Sequence, residues 1–141
     1  MRTSIIAVVL IALAGQVISR STYAQGAKPQ VVISPNGTEM STYYVVLLRR
    51  GPTWTSTVTP DTSAVSKAHM DNIERLTQSG QMLVAGPFLD QSGDKALTGM
   101  FILRAGSAGE AKSLADSDPA VKAGRFIYEI LPWMGPTTLR K

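Results

Sequence analysis

Residues 60–87 constrain this chain most: an amphipathic helix that runs, across a single glycine, into a short apolar strand. Thr59 can cap the helix with Pro60 at its first position, where the missing N–H costs nothing, and Asp61 suits the positive end of the dipole. At about 100° per residue, Val65, Ala68, Asn72, Ile73 and Leu76 fall on one stripe, with Lys67, Asp71, Glu74 and Gln78 away from it. Gly80 closes the helix, residues 81–85 read as a strand, and Gly86-Pro87 ends it. His69, the single histidine, falls inside the apolar stripe. A polar ring on the core-facing side of a helix needs either a partner or a cavity.

The rest of the chain supplies what such a unit packs against. Residues 40–50 are β-branched, aromatic or apolar and too short a run for a surface helix, so they predict a first strand. Gly51-Pro52 breaks it, and a loop carrying Trp54 leads to the helix. A loop over 88–95, with turn chemistry at Gln91-Ser92-Gly93-Asp94, precedes a third strand over 96–104. Gly99 inside that strand predicts a bulge or the close approach of a ligand or another backbone. Ser107-Ala108-Gly109-Glu110 reads as a capping box opening a second helix through Ala111, Leu114 and Ala115. Asp118-Pro119 opens one further turn that Gly124 closes, and residues 125–131 alternate as a last strand with Phe126, Tyr128 and Ile130 on one face. Residues from Pro132 onward read as a tail.

The order βαββαβ, with two helices to cover one sheet face, predicts an α+β, ferredoxin-like sandwich. Its other face is left open and apolar, which predicts a homodimer.

The N-terminus has the layout of an export signal. Arg2 gives the positive charge, residues 5–14 are ten apolar residues in a row, and Thr22-Tyr23-Ala24 offers small side chains for cleavage. The apolar core is too short for a comfortable membrane span, so the expectation is a periplasmic or secreted protein with no stable membrane association. Cleavage after Ala24 would leave 117 residues, enough for one core. Losing Arg2 and Arg20 leaves 12 basic against 10 acidic residues, a net +2, so the charge gives no argument for nucleic acid. The chain thus divides into a signal peptide over 1–24, a flexible lead-in over 25–40, a domain over 41–134 and a tail over 135–141. Within the lead-in, Val31-Val32-Ile33 can add an edge strand or lie on a partner, and Asn36-Gly37-Thr38 matches a glycosylation sequon.

With no cysteine, the chain has no disulfide, no thiolate metal site and no cysteine nucleophile, and one histidine is too few for an ordinary metal site. No Gly-x-Ser-x-Gly elbow and no phosphate-cradling glycine loop is present, so neither metal nor cofactor is expected.

Taken together, the strand at 43–48, Ala68-His69, the stretch from Gly80 to Gly86-Pro87, Gly99, Ala115-Asp116-Ser117-Asp118-Pro119 and Ala123-Gly124 resemble the YCII-related domain over residues 41–134. The resemblance implies a dimeric α+β barrel of ferredoxin-like halves, with a pocket near a histidine and the aspartate of Asp-Pro, which map to His69 and Asp118. Few members of that family have an assigned reaction, and some are similar to dehydrochlorinases. The export signal and the long loop over 51–60 depart from its short cytoplasmic members.

On that basis His69 and Asp118 are the candidate catalytic pair, an acid/base group acting on a small organic molecule in a lyase or isomerase type of proton transfer. Gly86 and Pro87 are the candidate substrate-binding residues at the pocket mouth. The competing reading makes His69 a satisfied core histidine and Asp118 a helix cap. A third makes the pocket a non-catalytic binding site, walled by Met70, Met82, Met100 and Trp54, or the dimer an interaction protein.

Overall fold

The structure is a computed structural model and describes residues 31–89 and 96–139. The expected signal peptide, the start of the lead-in and the turn at 91–94 lie outside the described residues.

Among the described residues nine elements follow in order: β1 (Val31–Ile33), β2 (Glu39–Arg50), α1 (Pro60–Gln78), β3 (Met82–Pro87), β4 (Leu97–Leu103), α2 (Ala108–Asp116), α3 (Pro119–Lys122), β5 (Phe126–Pro136) and a closing 3-10 turn (Thr137–Leu139). All pairings are antiparallel: β4 and β5 flank β2, β3 adds outside β4, and β1 continues along the start of β2. The order β5-β2-β4-β3 is that of a ferredoxin-like sheet, so the α+β fold expected from the sequence is the one observed.

The helices start and stop for the expected reasons. Thr59 caps α1 in a reciprocal capping box with Thr62, and Gly80 takes φ +76° just past the end, where a side chain would be strained. Val65, Ala68, His69, Asn72, Ile73 and Leu76 turn inward, and Lys67, Asp71, Glu74 and Gln78 are exposed. Ser107 caps α2 by accepting from Glu110 N–H, and Glu110 reaches back to Gly106 N–H. The core lies between these helices and one sheet face, built from Tyr44, Val46, Leu48, Leu76, Met82, Phe101 and Leu103. Phe126, Tyr128 and Ile130 pack against it from β5, as their alternation requires.

Two boundaries differ from expectation, and one open alternative is decided. The strand expected to stop before Gly86-Pro87 runs through both residues, pairing Gly86 with Met100 and Pro87 with Gly99. Because β3 is an edge strand, a missing N–H is tolerated there. The tail expected from Pro132 begins as strand instead: β5 continues to Pro136 opposite Met40, again on an edge where Pro132 breaks no inner ladder. The lead-in contributes β1, paired over Val31↔Ser41 to Ile33↔Glu39, so its apolar patch is an edge strand.

Gly99 sits where β3 and β4 come closest. A Cβ there would lie 2.6 Å from the Gly86 carbonyl oxygen and 3.2 Å from Pro87 Cα, so the close backbone approach requires glycine. Next to it the β2–β4 register jumps at Leu48/Arg49, leaving Thr98 as the extra residue of a bulge, its hydroxyl donating to the Leu48 carbonyl at 3.0 Å.

Candidate functional site

The site is built by α1, the turn between α2 and α3, and one end of the sheet. His69 projects from the inward stripe of α1 and Asp118 from the turn, and the fold joins them: Nδ1 lies 2.9 Å and 2.8 Å from the two carboxylate oxygens. The residues are 49 positions apart in sequence. Asp118 is 1% exposed and the imidazole 15%.

A carboxylate that deep must be hydrogen-bonded on every side. Its Oδ1 accepts from Ala120 N–H at 2.8 Å and Val121 N–H at 3.4 Å, which is the cap of α3, and its Oδ2 accepts from Asn72 Nδ2 at 3.2 Å. Asn72 is itself buried, and its Oδ1 accepts from Arg75 Nη2 at 2.7 Å. Burial pushes the Asp118 carboxyl up, but the hydrogen bond and charge of His69, with Ala120 N–H and the Asn72 amide, outweigh it and hold the group below its ordinary value. The carboxylate is therefore ionised at neutral pH and accepts the Nδ1 proton. In the neutral ring that leaves the lone pair on Nε2.

Nε2 has no hydrogen-bond partner among the described residues, and it is not sealed in. The imidazole borders a cavity of about 330 Å³ between α1 and the sheet, with Met70 and Ile73 on the helix side. Leu48, Ala85, Gly86, Pro87, Thr98 and Gly99 form the sheet side. Phe101 and Phe126 close on the ring itself, their centroids 5.9 Å and 5.4 Å from it, Phe126 edge-on. His69 is the single titratable side chain among the lining residues.

All four candidate residues thus meet in one place: His69 and Asp118 as a hydrogen-bonded pair, Gly86 and Pro87 in the cavity wall. Of the other candidate walls, Met70 lines the cavity while three do not. Met82 is buried in the core at 1% exposure, Met100 is opposite Leu47 on the far sheet face, and the Trp54 ring packs under the Arg50 guanidinium at 4.0 Å. Asn72, Phe101 and Phe126 were missed as site residues. Asn72 one turn beyond His69 was the available signal, because a buried amide on an apolar stripe also needs a partner.

Among the described residues there is no group of three or more His, Cys, Asp or Glu side chains placed to hold a metal ion. No described helix is long and apolar enough to cross a membrane.

In comparison with known proteins, the YCII-related domain matches residues 42–134. No curated protein matches the chain. Among solved structures, it is similar to 5-chloro-2-hydroxyhydroquinone dehydrochlorinase from Burkholderia phenoliruptrix AC1100, in complex with 2,5-dihydroxybenzoquinone. The identity is 27%, the match covers 64% of this chain and 92% of that one, and the TM-score is 0.46.

Proposed function

This chain belongs to the YCII-related domain family, and from that premise we propose that it is an acid/base enzyme acting on a small organic molecule, with His69 as the proton-transferring group and Asp118 as its orienting partner. One observation carries the reading: the carboxylate takes Nδ1–H, so Nε2 presents its lone pair beside an apolar cavity. A base so placed accepts a proton from a bound C–H or O–H, leaving the electron pair on the substrate. The pair then expels a leaving group, as in elimination, or the proton returns at another atom, as in isomerisation. Asp118 stays ionised and stabilises the imidazolium while it lasts.

The walls favour a small, largely uncharged molecule. The lining residues include no Lys or Arg to pair with a carboxylate or phosphate, and two phenyl rings beside His69 suit a flat, apolar body.

A panel of small neutral compounds carrying an acidic C–H or O–H, followed by NMR in deuterated water, tests this. At least one is expected to exchange its proton or eliminate, with activity lost by two to four orders of magnitude in His69→Gln. A compound turned over equally by parent and His69→Gln contradicts the proposal, and compounds that bind but never exchange favour the binding-module reading.

We further propose that the chain is exported, with residues 1–24 as a removed signal peptide, and pairs as a homodimer through the open sheet face. Ile127, Leu131 and Trp133 on β5 and Val84 on β3 are exposed on that face. An N-terminus at Gln25 in the mature protein supports export, and an intact Met1 in the exported fraction or retention inside the cell counts against it.

A further inference from the structure

Asn72 is a buried amide on a stripe where an aliphatic side chain would pack at no polar cost, so its burial calls for polar partners. We propose that Asn72 is a positioning residue, held in one amide orientation by Arg75, that keeps the Asp118 carboxylate square to His69 Nδ1 and thereby fixes Nε2 as the basic nitrogen of the cavity. The inference rests on the proton-transfer reading above.

Both backbone donors of the α3 cap, Ala120 N–H and Val121 N–H, go to Asp118 Oδ1. Apart from His69 itself, Oδ2 is held by Asn72 Nδ2 alone, at 3.2 Å. Without that bond the carboxylate is pinned at one oxygen and free to pivot about it, and the contact of Nδ1 with both oxygens is lost. The amide can serve because its orientation is not a free choice. A guanidinium only donates and a carboxylate only accepts, so Arg75 Nη2 at 2.7 Å from Oδ1 and Asp118 at the other end admit one placement of the Asn72 oxygen and nitrogen. The amide dipole then runs from cation to anion, and the two hydrogen bonds polarise each other. Residues 69, 72 and 75 follow at three-residue steps on α1, so one helix carries the base, the amide and the cation in line.

Nitrogen-15 NMR of the ring tests this without a substrate, because the chain has one histidine. In the parent, Nδ1 is expected in the protonated range and Nε2 in the unprotonated range. In Asn72→Ala and in Arg75→Met both resonances are expected to move toward each other, as the tautomers mix, with Arg75→Lys restoring the parent pattern. Arg75 is exposed, so its variants carry the test if Asn72→Ala does not fold. Parent-like resonances in folded Asn72→Ala or in Arg75→Met overturn the proposal. Asp118→Asn in the same series separates the two readings: a shift there with none at positions 72 and 75 defeats the positioning role alone, whereas no shift there defeats the His69–Asp118 pair itself.

Discussion

Asp118 does two jobs with one carboxylate, and substitutions separate them. Asp118→Ala removes the α3 cap and leaves the Asn72 amide and His69 Nδ1–H without an acceptor. A loss of roughly 2–4 kcal/mol in urea denaturation is expected. Asp118→Asn keeps an oxygen for Ala120 N–H and should cost less, about 1–2 kcal/mol. The pH dependence follows from the direction of the shift. The folded carboxyl lies below its ordinary value of 3.8, so its stabilisation is fully present above that value and is lost as pH falls through the lower folded value. The urea midpoint should therefore drop on acidification below about pH 4, more steeply in the parent than in Asp118→Asn. Asp116, lowered by its hydrogen bonds to Lys112 and Tyr128, acts in the same direction, but it lies at the surface where water screens it. Equal slopes in parent and variant would contradict the account of Asp118.

At the level of elements, the cavity floor depends on the crossing of β3 and β4 at two glycines with unequal tolerance. A methyl group at Gly99 meets the Gly86 carbonyl at 2.6 Å, backbone that cannot rotate away, whereas one at Gly86 meets nothing within 4 Å. Gly99→Ala is expected to lower stability by about 2–4 kcal/mol and to disturb the floor, and Gly86→Ala by less than about 1 kcal/mol. Thermal unfolding of the two variants checks the ordering, and similar losses would contradict it. The same elements tell how much was legible beforehand. The helix signals were local, so Thr59, Pro60, Ser107 and Asp118 marked starts that the structure keeps. The edges of strands were not local: whether Pro87 or Pro132 ends a strand depends on its missing N–H facing away from the partner, which only the sheet order decides. His69 was legible as a polar ring on an apolar stripe. The near approach of Phe101 and Phe126 was not, because it follows from β2 bringing both flanking strands beneath α1.

At the scale of the whole fold, the described residues form a one-sided sandwich in which the helix-covered face holds the site and the open face holds exposed apolar side chains. Across that open face Tyr43 is buried beneath the Trp133 ring, centroids 6.0 Å apart, while Ile127 and Leu131 remain half exposed. If the face joins two copies, Leu131→Asp should convert a dimer into monomers in analytical ultracentrifugation while leaving the His69 environment unchanged. A parent that sediments as a monomer would contradict the dimer. Connection of the site to the rest of the chain is tight at its other end, where Gly51 N–H donates to Arg125 O and the Thr53 hydroxyl to Ala123 O at 2.7 Å, tying the long loop to the segment after α3. At the centre of the molecule's chemistry Asp118 dictates which nitrogen of His69 carries the proton, and so leaves the Nε2 lone pair toward the cavity. The most direct measurement is the nitrogen-15 spectrum of the His69 ring at neutral pH in the parent and in Asp118→Asn. The account predicts a proton on Nδ1 in the parent and its transfer to Nε2 in the variant, where the new amide donates to Nδ1. The same tautomer in both proteins would contradict it.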